Sequence, residues 1–560
     1  MDLKAGLEYG GLVRDRTVTL VAVAVTVAAT VLIFAQLDQR LLWIDEAETA
    51  LLGRSILVHG VPTAWDGTNL VSQEVGKEYG PDYVWRWTPW LAKYLVAGSF
   101  ALFGESTFTA RVPFALLGLL AVVSMYPLGI AVFRDRWVGV GGMAFLAFSM
   151  PFLLHVRQCR YYAPVILAAI WVVYFFVRLR RGDWRSVVGL TVAMTALFHG
   201  NVLTFLATGL TLVVCALTLR FDRGAWRRAV LAAGVTAVLV LPWVFYFDIL
   251  GKTSEELYSY GENFRTYLDL TSRYTFPWAA LVVFVALAMT IGRSRSAPRP
   301  ESAGAAPSST EGRAPWIDAE SQRPFVALLV FIAVYIVVVS AAPWSFYRWS
   351  VNLLPVAAVL LAFMCRSVLR WSRVAGVVFT ATLMFTAVLH DVSAWPVLYA
   401  RYNLHLEGRT FAFYDRLFPL GNHFYEVTHP YEGPMEDLLD QLNEQARPGD
   451  RIFITYGDLI LKFYTDHEVR GGQSGQDLLG WPEPEWVVIR SFFRFRDRPA
   501  HAADADRTLE WLNNHVPPDH YELLPGTVTD VPWDNIAEPQ LRWYRVPIDG
   551  DPMQIYRRTT

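Results

Sequence analysis

Apolar residues in this chain fall into long blocks separated by short gaps that carry arginine, and these blocks set the fold. A helix that crosses a bilayer needs about 20 mostly apolar residues. Eleven segments meet or approach that length, centred on residues 17–37, 111–133, 137–155, 162–179, 186–199, 201–219, 229–247, 276–292, 325–342, 351–365 and 374–390. A further apolar stretch, 89–103, is shorter and suits an interfacial or re-entrant piece. The first block is too long for a signal-peptide core and lacks a small-residue cleavage site, so it reads as a retained transmembrane helix. The expected fold class is therefore a polytopic α-helical membrane protein with about 11 transmembrane helices.

Lysine and arginine orient the blocks, because short cytoplasmic loops are enriched in them. Lys4, Arg14 and Arg16 precede the first helix, which puts the N-terminus in the cytoplasm. Alternation then places Arg134/Arg136, Arg178/Arg180/Arg181/Arg185, Arg220/Arg223/Arg227/Arg228, Arg293/Arg295/Arg299 and Arg366/Arg370/Arg373 on that same side. Residues 38–110, 248–275 and everything after about 391 fall outside. Residues 293–323, rich in Ser, Ala, Pro, Gly and Arg, read as a disordered cytoplasmic linker.

The outer loop 38–110 opens on Trp43-Ile44-Asp45-Glu46-Ala47-Glu48. Ala47, Ala50, Leu51, Ile56, Leu57 and Val58 then make a helical stripe that ends at Gly60 and Pro62, which predicts a helix lying along the outer membrane surface. Beyond residue 392 the pattern changes. Met435, Leu438, Leu439, Leu442 and Ala446 mark an amphipathic helix, 451–456 and 486–489 read as strands, 508–515 as helix and 521–524 as strand. Alternating elements predict a small extracytoplasmic α/β domain over 393–560, after a membrane domain over 1–392.

Composition supports this division. Hydrophobic residues make up 54% and charged residues 18%, where a soluble domain carries about a quarter charged. Mean hydropathy is +0.29. A net charge of -2 provides no general attraction to nucleic acid. The 21 tryptophans and 25 tyrosines suit many crossings of two membrane interfaces. Cys159, Cys215 and Cys365 lie in or beside apolar segments and form neither a disulfide framework nor a CxxC pair.

Candidate chemistry lies at the outer ends of the blocks. Asp45, Glu46 and Glu48 stand where the first helix leaves the lipid. An acidic first turn is ordinary helix chemistry, but a carboxylate facing a cavity at this depth can also accept a proton from a hydroxyl. Arg157, Arg160 and Arg348 are outer cations that run against the positive-inside bias. They can snorkel to lipid phosphates, pair with acidic loop residues or cradle an anionic ligand. Arg86 and Lys93 flank Thr88-Pro89-Trp90, Arg111 starts the second span, and His199-Gly200-Asn201 sits at an outer turn. This set suits a substrate with a nucleophilic hydroxyl and a phosphate leaving group. It also suits a transporter or flippase for a lipid-linked or anionic solute, and the outer domain also reads as a binding module.

The ordered motifs add a resemblance. They are Asp45-Glu46, Thr88-Pro89-Trp90, Phe103-Gly104-Glu105-Ser106, Arg111-Val112-Pro113 through Gly118, Arg157-Gln158-Cys159-Arg160-Tyr161-Tyr162, and Tyr347-Arg348 with Pro355. Across residues 15–392 the chain resembles the GT-C class of polytopic glycosyltransferases, in particular the family of protein O-mannosyltransferases and lipid A aminoarabinose transferases. Trp87 replaces that family's Lys or His, Thr88 its first Pro, and Val156 its Ser, and the Trp-Trp-Asp signature of oligosaccharyltransferases is absent. The resemblance implies a polyprenyl-phosphate sugar donor, a membrane lipid, glycan or protein acceptor, and inversion at the anomeric carbon. It implies Asp45 as general base supported by Glu46, and Arg157, Arg160 and Arg348 as holders of the donor phosphate, with Arg86 or Lys93 contributing. Glu48, Tyr161, Tyr162, His199 and Tyr347 are then the expected substrate contacts. No His/Cys cluster demands zinc, and Asp45 with Glu46 is the pair that a divalent cation would use.

Overall fold

The computed structural model describes residues 3–252, 258–296, 317–390, 399–406, 409–416, 419–491, 499–531, 534–536, 538–539 and 551–559. Fifteen helices lead through the apolar blocks: α1 Leu3–Phe34, α2 Ile44–His59, α3 Leu91–Phe103, α4 Thr107–Phe133, α5 Arg136–Ala147, α6 Met150–Val156, α7 Tyr162–Arg178, α8 Trp184–Gly200, α9 Val202–Thr218, α10 Arg223–Tyr246, α11 Tyr260–Tyr274, α12 Trp278–Ser296, α13 Ala319–Val339, α14 Leu354–Trp371 and α15 Arg373–Phe385. All eleven predicted segments fall on them. Among the described residues, six helices are long and apolar enough to cross a membrane, or eight if the bent pairs α5–α6 (67°) and α11–α12 (62°) each count as one span. α3, α9 and α15 are apolar but shorter.

Burial sorts these helices. α14 is enclosed along nearly its whole length, whereas α10 buries four residues and turns Val230, Val238 and Leu241 outward. α1 presents Leu20, Val23, Val27 and Val31 as an apolar stripe. In a membrane protein such exposed stripes are the lipid-facing side. One sequence expectation changes. α2 does not lie along a surface: twelve of its sixteen residues are buried, against α3 and a helix of the C-terminal region. Helix enters both ends of the expected linker 293–323, whose residues 297–316 lie outside the described residues. The domain boundary expected at 392 also falls outside them, in 391–398.

The C-terminal region begins with an antiparallel hairpin, β1 Tyr399–Leu406 and β2 Arg409–Arg416. There follow α16 Pro419–Thr428, α17 Pro434–Gln445, β3 Arg451–Ile454, α18 Asp458–Tyr464, β4 Glu468–Gly471, β5 Trp486–Ile489, α19 Pro499–His515, β6 Tyr521–Leu524 and β7 Gln554–Arg558. The sheet order is β4-β3-β5-β7-β6; β3 pairs in parallel with β4 and β5, and β7 is antiparallel to β5 and β6. The expected helices and strands are present, and β4, β7 and the hairpin add to them.

This region packs onto loop 38–110 and the end of α1 through polar contacts. Arg54 of α2 donates to the carbonyls of Lys462 and Phe463. Tyr464 accepts from Leu42 N at 2.9 Å. Lys462 Nζ donates to Leu70 O and to Asp458, both at about full burial. Asn69 donates to His467 O and accepts from Val469 N. His423 Nε2 donates to Leu32 O near the end of α1. Polar groups removed from water must find partners, so these contacts fix the register between the outer loop and the sheet.

Candidate active site

α2 starts at the acidic triplet because carboxylates favour the positive end of a helix. Helical geometry then divides the triplet. Asp45 and Glu48 are three residues apart and share a face, while Glu46 points roughly 100° away. Gly53 lets α3 approach closely, since a Cβ there would stand 2.7 Å from Val96 and 3.3 Å from Lys93 O. That approach brings Lys93 beside α2. On the other side, Gly118 of α4 admits Val156, 2.6 Å from where its Cβ would be, and so seats the turn that carries residues 157–161.

Asp45 is 3% exposed and Glu48 5% exposed. Arg348, in the 3-10 turn Tyr347–Leu353, donates from Nη1 to Asp45 Oδ2 at 2.9 Å. Arg160 Nη2 lies 3.4 Å from the same oxygen, and Arg160 Nη1 donates to Glu48 Oε1, to Asp45 O and to Thr49 Oγ1. Gln73 Nε2 donates to Glu48 Oε2 at 2.8 Å and to Asp45 Oδ1 at 3.2 Å. Glu538, from the C-terminal region, places Oε1 4.0 Å from Arg348 Nε. Tyr161 and Tyr162 stack edge to face beside these arginines, and Arg160 lies over Tyr161.

Lys93 is 3% exposed, and its ammonium donates to Thr88 Oγ1 and Pro89 O with no carboxylate in ion-pair range among the described residues. α3 is too short to span. Burial pulls the Lys93 ammonium down to about 7; Glu48 opposes this, and Arg160 and Lys252 reinforce it. Lys252 donates to Arg86 O and Trp87 O, and burial brings it to about 8. A buried cation without a counter-ion is costly, and an incoming anion relieves that cost.

Several expected site residues have other partners. Glu46 receives a two-pronged contact from Arg111 (2.9 and 2.7 Å) and accepts from Cys159 N at 2.9 Å. It therefore faces away from Asp45. The pair does not form a cation site, and among the described residues no three His, Cys, Asp or Glu side chains converge to hold a metal. Arg157 donates to the carbonyls of Leu32, Ile33, Ala35 and Gln36, capping the C-terminal end of α1. Arg86 pairs with Asp82. The Tyr347 hydroxyl bonds Thr275 and Tyr274 O. His199 packs edge-on against Trp243, in an aromatic cluster with Trp90, Tyr246 and Phe247. The three cysteines are free and buried.

Sequence reasoning missed Gln73, Lys252 and Glu538. Each stands in a stretch without periodicity, so no local pattern marks it. Glu78 was missed too. Its carboxylate accepts from the Ser72 hydroxyl and from the backbone N–H groups of Gln73 and Glu74. Burial raises Glu78 to about 8, against the pull of the Ser72 and Gln73 hydrogen bonds.

The helical body, the buried acidic helix and the small sheet docked over that helix make a multi-pass membrane protein whose fold is that of the GT-C structures it resembles. One solved structure it resembles is ArnT from Cupriavidus metallidurans bound to undecaprenyl phosphate, with a TM-score of 0.51 and 15% identity over 95% of this chain and 97% of that one. The apo form of the same protein gives the same figures. The archaeal oligosaccharyltransferase AglB from Archaeoglobus fulgidus, solved with an inhibitory peptide and a dolichol-phosphate, is less similar: TM-score 0.44, 11% identity, 85% of this chain and 70% of that one. No protein-family model matches the chain, and comparison with curated proteins finds no relative.

Proposed function

We propose that this protein is an inverting glycosyltransferase that moves a sugar from a polyprenyl-phosphate donor to a glycan, lipid or protein hydroxyl on the outer face of the membrane. One observation carries the reading: two carboxylates, Asp45 and Glu48, share a buried face with Arg160, Arg348 and the uncompensated Lys93. The fold it shares with a structure bound to undecaprenyl phosphate agrees with a lipid-phosphate donor.

In this reading the donor phosphate enters beside Lys93, with Lys252 behind it, and draws Arg160 and Arg348 away from Asp45. Asp45 Oδ2 is thereby released as a general base. The acceptor oxygen attacks the anomeric carbon on the face opposite the phosphate. The carbon–oxygen bond to phosphate breaks, its electron pair leaves on the phosphate oxygen, and the acceptor proton passes to Asp45. The guanidinium groups meet the developing charge, which is where fixed cations accelerate most. Glu46, Arg157 and Tyr347 support the scaffold. The C-terminal region and the N-terminal carboxylates stand on the extracytoplasmic side, and the N-terminus is cytoplasmic.

The test uses purified protein in detergent, a panel of polyprenyl-phosphate sugars and a crude lipid and glycan acceptor extract. Release of polyprenyl phosphate is expected with wild type and not with Asp45→Asn. Equal release by both would remove Asp45 from the mechanism. Movement of a lipid-linked solute across vesicles without donor cleavage would favour a transporter instead.

A further inference from the structure

The residue that joins Asp45 to Glu48 belongs to neither the helical body nor the arginine set. Gln73 is 6% exposed, and its amide nitrogen reaches both carboxylates. An amide nitrogen carries two N–H bonds, so one goes to each carboxylate. Arg160 also touches both of these buried carboxylates, which stand one helical turn apart. Among the described residues the groups near Asp45 include Arg160, Arg348, Glu48, Tyr161 and Gln73, with Glu538 beyond Arg348 and Lys93 beyond Glu48.

The loop that holds Gln73 is anchored from two directions. From within, Glu78 gathers Ser72, Gln73 N and Glu74 N. From the C-terminal region, His501 of α19 points Nε2 at Gln73 O (3.2 Å) and at the Glu74 carboxylate (3.5 Å). Val75 N donates to Gln473 O at 3.1 Å. Gly475, at φ +67, lies so close that a Cβ would sit 2.6 Å from Val75. These contacts come from the loop that follows β4 and from the first turn of α19. In open sheets with parallel strands, the crevice outside the carboxyl ends of the strands is the usual ligand site. Here it receives the protein's own loop 72–78.

We propose that Gln73 is a positioning residue for Asp45, and that the C-terminal region acts on the reaction by clamping the Gln73 loop through His501. The proposal rests on the reading of Asp45 as the base. Gln73 holds the Asp45 carboxylate in its ionised form and in its rotamer while the phosphate takes the arginines away. The C-terminal region thus serves the donor reaction itself, in addition to any contact with the acceptor.

The experiment titrates the Asp45 carboxylate by infrared spectroscopy in the full-length protein in detergent. The band is identified by its loss in Asp45→Asn. Gln73→Met keeps the length of the side chain and removes the donor; Gln73→Ala is a second variant in case the first misfolds. His501→Ala tests the clamp. Loss of the Gln73 donor is expected to raise the Asp45 midpoint by about one pH unit, a tenfold change in proton affinity. His501→Ala is expected to raise it by part of that. With the polyprenyl-phosphate sugar that the wild type cleaves, the acid limb of kcat moves by the same amount, and the donor KM stays within about threefold. An unmoved midpoint in both Gln73 variants overturns the proposal and leaves the transferase reading intact. A shift in the Gln73 variants but none in His501→Ala overturns the clamp. A shift without cleavage by the wild type supports the hold on Asp45 and sinks the transferase reading.

Discussion

Glu46→Gln separates scaffold from chemistry, because the proposed mechanism gives its neighbour Asp45 the opposite role. Glu46 and Arg111 are 1% and 8% exposed in their side chains and meet through two short hydrogen bonds. Arg111 also donates to the carbonyls of Leu37, Arg40 and Leu41. It thereby ties the α1–α2 connection to α4. Replacing the carboxylate with an amide turns one acceptor into a donor facing a guanidinium and leaves a buried charge unmatched. Breaking such a pair from one side costs about 3–5 kcal/mol. If the whole 560-residue chain melted as one unit, an entropy of about 2 cal/mol/K per residue makes this a fall of roughly 3–4 °C in Tm, and more if a smaller unit melts. The assay follows thermal unfolding by tryptophan fluorescence in detergent, with donor cleavage measured per folded molecule. Glu46→Gln should lower Tm and keep kcat within about threefold, while Asp45→Asn loses about 10²–10⁴ in kcat. A Glu46→Gln protein with wild-type Tm and abolished turnover would refute the division of the triplet.

Lys93→Met should raise the donor KM by about 10–100-fold through loss of a phosphate contact, while Tm holds or rises, because the ammonium is buried without a carboxylate partner; an unchanged KM would remove Lys93 from the phosphate site. Arg157→Met uncaps the end of α1 and should cost about 1–3 kcal/mol, with kcat per folded molecule unchanged; a changed donor KM would return Arg157 to the phosphate. Glu78 is raised in the folded state, so its contribution to stability is complete below its unfolded value and is lost as pH climbs towards about 8. Denaturation at pH 5 and pH 8 should therefore show a loss of order 3–5 kcal/mol that Glu78→Gln removes, and equal slopes in both proteins would contradict it.

Periodicity revealed the helical body, because a span needs a long unbroken apolar run and such runs are hard to mistake. α2 shows where that reading stops. Its stripe fitted a surface helix, but Ala47, Ala50 and Gly53 are as useful for close packing on all sides as for one apolar face, and only the arrival of α3 and α18 distinguishes the two. The place of Asp45 at the end of a span marks it as a candidate, and the structure sets it, buried, beside Arg160 and Arg348. Glu46 was taken along with it by adjacency, although the helical rotation of roughly 100° per residue already sends neighbours to different sides. The same error applied to Arg157 and Arg160, which one turn of chain aims at α1 and α2 respectively.

Gln73 was out of reach for a different reason. An amide in an aperiodic loop of a polar segment carries no local sign of function, and its two carboxylate partners lie 25 and 28 residues upstream. The residue that holds its loop, His501, lies 428 residues downstream. Spacing on one helix can state which side chains share a face, as it does for Asp45 and Glu48. It cannot state which distant loop closes over that face. Under the proposed mechanism that closure supplies hydrogen bonds to the two buried carboxylates when phosphate competes for their arginines, and part of the reaction's control would then reside in the C-terminal region, outside the helical body that the motifs mark.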